Sequence, residues 1–223
     1  MRVRILALAA FLAIGTCCAC GSAGATPAQK AYDADQVSGI VDEVVDGLWA
    51  KTDYYWHKGD YPRIIALDRI IVEADPSFME PYAVGGWLME SDGDLADAES
   101  FYKLGCVRNP TSSYMFYNLS AFYMNTLKNY ALAVKASESG VRQADAGIND
   151  WRMLAHAYEK NHQLEEALAT WKTMKTRWPD GLAIDHNRDR VERLIEAGAS
   201  AQPTPPSVAQ PQRPVVANPV LSL

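Results

Sequence analysis

The chain has 223 residues and a net charge of −6, from 21 basic and 27 acidic side chains. That length suits one repeat array with tails and leaves no room for a second globular domain, and an acidic balance makes the chain a poor candidate for binding a phosphate backbone, so no nucleic-acid partner is expected. Three of the four cysteines crowd together as Cys17, Cys18 and Cys20, and Cys106 stands alone; the body has neither a disulfide framework nor a zinc-ligand set.

Residues 1–20 read as an export signal. Arg2 and Arg4 form its basic start, and Ile5 to Ile14 is an apolar run too short to span a bilayer comfortably. Ala19-Cys20 then resembles the end of a bacterial lipoprotein signal, in which a small residue precedes the cysteine that becomes the lipidated N-terminus. Cys17, after Ile14-Gly15-Thr16, fits that pattern less well, and it also stands where such signals prefer Leu. The resemblance implies lipidation at Cys20 and a membrane anchor. Ordinary cleavage after Ala23-Gly24-Ala25 is the alternative and gives a secreted or periplasmic protein. Residues 21–32 are small and polar, a tether able to hold the domain roughly 20 Å from its anchor.

Val37, Ile40, Val41, Val44, Val45, Leu48 and Trp49 recur at helical spacing and predict one amphipathic helix from about Asp35 to Lys58. Its first half overhangs the later helices and is placed to cap an exposed end; Gly47 inside it costs about 1 kcal/mol relative to Ala and allows a kink. Helices are expected over 61–74, 78–90, 95–108, 112–125, 129–142, 147–160 and 164–177. A last one, Asp180 to Gly198, has Leu182, Ile184, Val191, Leu194 and Ile195 on its apolar side. Residues 199–223 include Pro203, Pro205, Pro206, Pro211, Pro214 and Pro219, which forbid a helix and read as a disordered tail of polyproline character. Such a tail is either a linker or a ligand for an aromatic groove.

These helices fall into a period. Leu48, Tyr82, Phe116 and Trp151 are spaced 34, 34 and 35; Tyr55, Met89, Tyr123 and Tyr158 repeat that spacing; Ile64, Ala98, Ala133 and Ala167 are spaced 34, 35 and 34. A fixed period over four copies signals a helical array. The columns also place Gly86 against Ala98 and Ala155 against Ala167, where small side chains let two backbones approach.

The pattern resembles the tetratricopeptide repeat: a large apolar residue, a small one, an aromatic, Gly-Asp, a small residue and then Pro. The second copy carries it best, with Tyr82, Gly86, Gly93-Asp94, Ala98, Tyr102 and Pro110. The fourth is close behind, with Trp151, Leu154, Ala155, Tyr158, Ala167, Trp171 and Pro179. The first departs at Ile64 and Ile71, and the third lacks the turn glycine and the final proline. The resemblance covers about Val45 to Pro179 and implies an all-α fold. That fold is an α-solenoid of about four helix pairs within residues 33–198, with an N-terminal helical extension and a C-terminal capping helix. It also implies a general role in binding proteins or peptides.

In that family the first helix of each pair lines a concave surface. Mapped by register, this surface carries Trp49, Asp53 and Trp56, then Glu80, Ala83, Trp87 and Glu90. Tyr114, Tyr117, Asn118 and Asn125 come next, and Arg152, His156 and Glu159 close the row. Leu48, Tyr55, Tyr82, Phe116, Trp151 and Tyr158 occupy packing columns; Trp56 and Trp87 fall outside them and either enter the groove or fill gaps. A clamp for a partner's C-terminal carboxylate is not expected, because Trp49 and Asp53 stand where such clamps use Lys and Asn.

Chemistry is otherwise sparse. His57, His156, His162 and His186 form no HExxH arrangement, no Gly-rich phosphate loop follows a strand, and Cys106 reads as a buried structural residue. No catalytic residue, metal or cofactor is expected. The resulting expectation is a membrane-anchored scaffold of the bacterial cell envelope, holding an apolar peptide with Lys or Arg nearby across the first three repeats. The alternatives are a structural repeat protein that self-associates and a hydrolase using a groove acid such as Glu90 or Glu159.

Overall fold

In the computed structural model, which describes residues 33–198, nine helices succeed one another and no strand occurs among the described residues. They are α1 (Ala34–Trp56), α2 (Tyr61–Ala74), α3 (Glu80–Asp92), α4 (Leu95–Arg108), α5 (Ser113–Asn125), α6 (Tyr130–Val141), α7 (Ile148–Lys160), α8 (Leu164–Arg177) and α9 (Ile184–Glu196). Each packs on the next, and α5 also meets α7. This chain of neighbour contacts is an α-solenoid, as the period requires. The expected export signal, tether and Pro-rich tail lie outside the described residues.

Local chemistry sets the helix ends. Asp33, Asp60 and Asn129 precede α1, α2 and α6, and each accepts a hydrogen bond from a backbone N–H of the first turn. Pro62 and Pro81 sit in the first turns of α2 and α3, where no donor is lost. The turn inside each pair needs one left-handed residue: Gly59 (φ 67°), Gly93 (φ 89°), Lys128 (φ 52°) and His162 (φ 60°) occupy the same column. Glycine takes this conformation without cost. The third repeat therefore makes the same turn despite lacking the glycine, at some strain on Lys128. Asp145, which replaces proline in that repeat, accepts from the Ser113 N–H at 3.0 Å and so ties the loop after α6 to the start of α5.

One expectation is corrected. The last helix begins at Ile184, because Ala183 adopts a left-handed conformation (φ 62°). Leu182 thus falls in the preceding turn and is exposed; Ile184 and Val191 carry the burial, while Leu194 also faces solvent. Beside Gly86 the small side chain also makes room for a ring: a Cβ there would lie 2.7 Å from Tyr102. Gly47 leaves α1 uninterrupted.

The core runs along the array. One cluster joins Val72, Tyr82, Met89, Phe101, Met115 and Phe122 across the first three repeats. A second gathers Ala155, Leu164, Trp171, Met174, Ile184 and Val191 at the C-terminal end. Polar side chains lock neighbouring helices across these clusters. Tyr123 donates to Glu99 at 3.0 Å, and Tyr158 to Glu138 at 2.8 Å. Arg108 reaches the Val72 carbonyl at 2.8 Å and both oxygens of Glu73. Cys106 is buried, and burial pushes its thiol up to about 12, consistent with the structural role read from its position.

Candidate protein-binding surface

The N-terminal end of the first-helix surface presents a compact aromatic group. Trp56, the last residue of α1, is 44% exposed, and Trp87 on α3 is 50% exposed. Their rings lie 6.0 Å apart, inclined by 33°. Tyr61, at the start of α2 and 46% exposed, meets Trp56 edge-on at 5.7 Å. Two large rings that both meet Trp56, all three staying half in water, form an apolar patch of the kind that marks an interaction surface. Asp53 is exposed on α1 beside it, and Glu80 is exposed at the start of α3. Tyr114 on α5 extends the surface; burial, and then the nearby Glu80 carboxylate, hold its hydroxyl above the ordinary value. Tyr61 was not among the residues read from sequence. Its signal was its place directly after the Gly59-Asp60 turn, where the first residue of a second helix returns toward the end of the first.

Other predicted groove residues are engaged within the fold. Trp49 is half-buried and packs edge-on against Phe78 at 5.1 Å. Tyr117 is half-buried and lines a narrow cleft with Ser137, Gly140 and Met153. Asn118 donates to the Tyr114 carbonyl at 2.8 Å. Arg152 donates to Asn149 at 2.9 Å and to the Leu182 carbonyl at 3.4 Å. His156 meets the Trp171 ring edge-on at 5.2 Å, with Nδ1 3.5 Å from Glu159. Glu90 accepts from the Tyr102 hydroxyl at 3.3 Å and from the Thr126 hydroxyl. Glu159 accepts from Trp171 Nε1 at 2.9 Å and from Arg190 at 2.6 Å. Burial raises the Glu159 carboxyl, but bonds from His156, Trp171 and Arg190 outweigh it and hold the group below its ordinary range. The C-terminal end of the surface is thus cross-linked by α8 and α9. The N-terminal end is where side chains remain available.

The repeat columns show why. Glu90 and Glu159 share a column, and their donors Tyr102 and Trp171 share another, twelve residues further on. In the first repeat these two columns hold Trp56 and Asp68, so the aromatic and acidic roles are exchanged. Asp68 faces the interior: it is fully buried, and neither carboxyl oxygen has a hydrogen-bond partner among the described residues. Trp56 lies against Trp87 at the surface. Burial pushes the Asp68 carboxyl up to about 8. Among the described residues, no group of His, Cys, Asp and Glu stands in an arrangement suited to a metal.

No family model matches the chain, and no curated protein matches it closely enough to count as a relative. Solved structures do resemble it. MamA superposes with a TM-score of 0.53 at 18% identity, over 66% of this chain and 84% of MamA. The protein of the pilF gene from Pseudomonas aeruginosa gives 0.54 at 13% identity, over 71% of each chain. YrrB, described as a TPR protein with an unusual peptide-binding site, gives 0.51 at 15% identity, over 65% of this chain and 74% of YrrB. Helix order, the 34-residue columns and these superpositions agree that residues 33–198 have the tetratricopeptide-repeat fold.

Proposed function

We propose that this protein is an interaction scaffold that seats a partner peptide on the aromatic group formed by Trp56, Trp87 and Tyr61, with Asp53 and Glu80 selecting Lys or Arg on the partner. One observation carries the reading: two tryptophans from successive first helices touch at 6.0 Å while each stays about half exposed. Exposed rings of this size supply large contact area at low entropic cost and commonly anchor interfaces. Acids on the same surface favour a basic segment and speed its approach at low salt. A hydrolase built on Glu90 or Glu159 fits less well, since both carboxylates already accept bonds from neighbouring helices.

The test is a pull-down with the full chain, then affinity measurement on the partner recovered. Trp56→Ala combined with Trp87→Ala should weaken binding by about 2 kcal/mol or more, roughly thirtyfold. The variant's helical signal and melting temperature should stay close to wild type, because both rings lie at the surface. A folded double variant that binds the partner as tightly as wild type would show that the aromatic group is not the site.

We further propose that the protein works in the cell envelope, anchored through lipid on Cys20. The support is the sequence Ala19-Cys20 after a short apolar run with Arg2 and Arg4 before it; no helix among the described residues is long and apolar enough to cross a membrane. Cys20→Ser should move the protein from the membrane fraction to the soluble one. An unmodified mature N-terminus at Thr26 would show ordinary secretion instead.

A further inference from the structure

The side of α1 turned away from α2 has no neighbour among the described residues of the array, yet it is not a polar cap. Val37, Ile40, Val44 and Tyr54 are all exposed there, one stripe along a helix about 34 Å long. A Cβ at Gly47, midway along that stripe, would meet nothing within 4 Å. The aromatic group of the proposed peptide site lies on another side of the helix, since Trp56 is turned toward Trp87 on α3.

The charges along this stripe are divided. Glu43 and the capping Asp33 are exposed on the N-terminal half, Lys51 on the C-terminal half and Lys58 just past its end. Lys51 Nζ lies 4.9 Å from the Tyr54 ring centre and Lys58 Nζ 5.7 Å from it, so the basic half is also aromatic. Two pairs of these residues are symmetric about Gly47. Glu43 stands four residues before it and Lys51 four after; Ile40 stands seven before and Tyr54 seven after. A surface whose halves complement each other about a midpoint fits a second copy of itself, turned end to end by a two-fold axis.

We propose that the protein forms a homodimer in which the α1 helices pack antiparallel, crossing at Gly47. In that arrangement Glu43 of one copy faces Lys51 of the other, and Ile40 and Val44 rest on Tyr54 and the Lys51 stem. The two glycines let the backbones come close where side chains would hold them apart. The peptide site of each copy stays open, so this assembly does not depend on that function being correct.

Sedimentation equilibrium on the full chain, from about 1 to about 200 µM, tests the proposal. The expected result is a reversible monomer–dimer equilibrium. Glu43→Lys alone, or Lys51→Glu alone, places like charges together and should weaken the dimer about tenfold or more; the two changes combined should restore affinity to within about threefold. Ile40→Asp should leave only monomer. All three side chains are exposed, and each variant must keep the wild-type helical signal. A chain that stays monomeric over the whole range, or a double variant as weak as the single ones, would overturn the antiparallel dimer and leave the stripe to a different partner.

Discussion

Between about pH 5.5 and about pH 8 this protein should lose on the order of 2–3 kcal/mol of stability, and Asp68→Asn should abolish most of that loss. The carboxyl is packed among α2, α3 and α4: a Cβ on Gly85 would lie 2.8 Å from the Phe101 ring and 3.1 Å from Asp68 Oδ2. The adjacent Arg69 does not neutralise it, since its guanidinium pairs with Asp97 at 3.0 Å. Burial raises the group from its ordinary value of 3.8 to about 8. The folded chain therefore keeps the proton over a range where the unfolded chain has released it. The contribution is complete below the unfolded value and drains away as pH rises toward the folded one. Urea unfolding at several pH values, monitored by tryptophan fluorescence, measures the slope. Asparagine keeps the shape without the charge, so the variant should be more stable than wild type near pH 8. A wild-type curve that is flat from pH 5.5 to 8 would mean that Asp68 is ionised at no cost in the folded state.

Trp171→Ala should cost about 3–5 kcal/mol, the usual range for emptying a buried aromatic site. Trp171 is fully buried at the centre of the C-terminal cluster, beside His156, Met174 and Val191. Trp171→Phe is the milder change. It keeps much of the apolar contact but removes the donor to Glu159 together with part of the bicycle, so at least about 1.5–3 kcal/mol is expected, the cost of a bond to a charged acceptor plus a small cavity. Glu159 is held below its ordinary value, so its contribution is present above the unfolded value of 4.5 and is lost as pH falls below it. The phenylalanine variant should show less of that acid loss. Because repeats couple mainly to their neighbours, faster amide exchange should be confined to α7, α8 and α9, with α3 and α4 nearly unchanged. Equal acceleration along the whole array would show that the end repeat is not an independent unit.

Much of the architecture was legible because it repeats. Four copies of one pattern placed the helix pairs to within a few residues, and a pattern seen four times overrides the weak spots of any one copy. The third turn shows this: Lys128 stands in the column of Gly59 and Gly93 and adopts their left-handed backbone. The first-helix surface was legible only as a set of candidates. Register groups Glu90, Glu159 and Arg152 with Trp56 and Trp87, but it does not say which are already held by a neighbour. Asp68 was missed although the signal existed, because its column contains Tyr102 and Trp171, both buried. In a single helix it looks like an ordinary polar residue between Leu67 and Arg69.

The helical period and the pairing of helices were therefore written in the sequence alone. They depend on side-chain size, backbone freedom and spacing along one chain. Tertiary packing decided which polar groups are spent inside. A carboxylate is a groove residue or a brace according to whether a donor on another helix reaches it. Trp171 and Arg190 reach Glu159, and no donor among the described residues reaches Asp68. Packing also decided that Trp56 and Trp87 meet at the surface. Their contact depends on how closely α1 and α3 approach, and that distance is set by the residues between them rather than by either tryptophan.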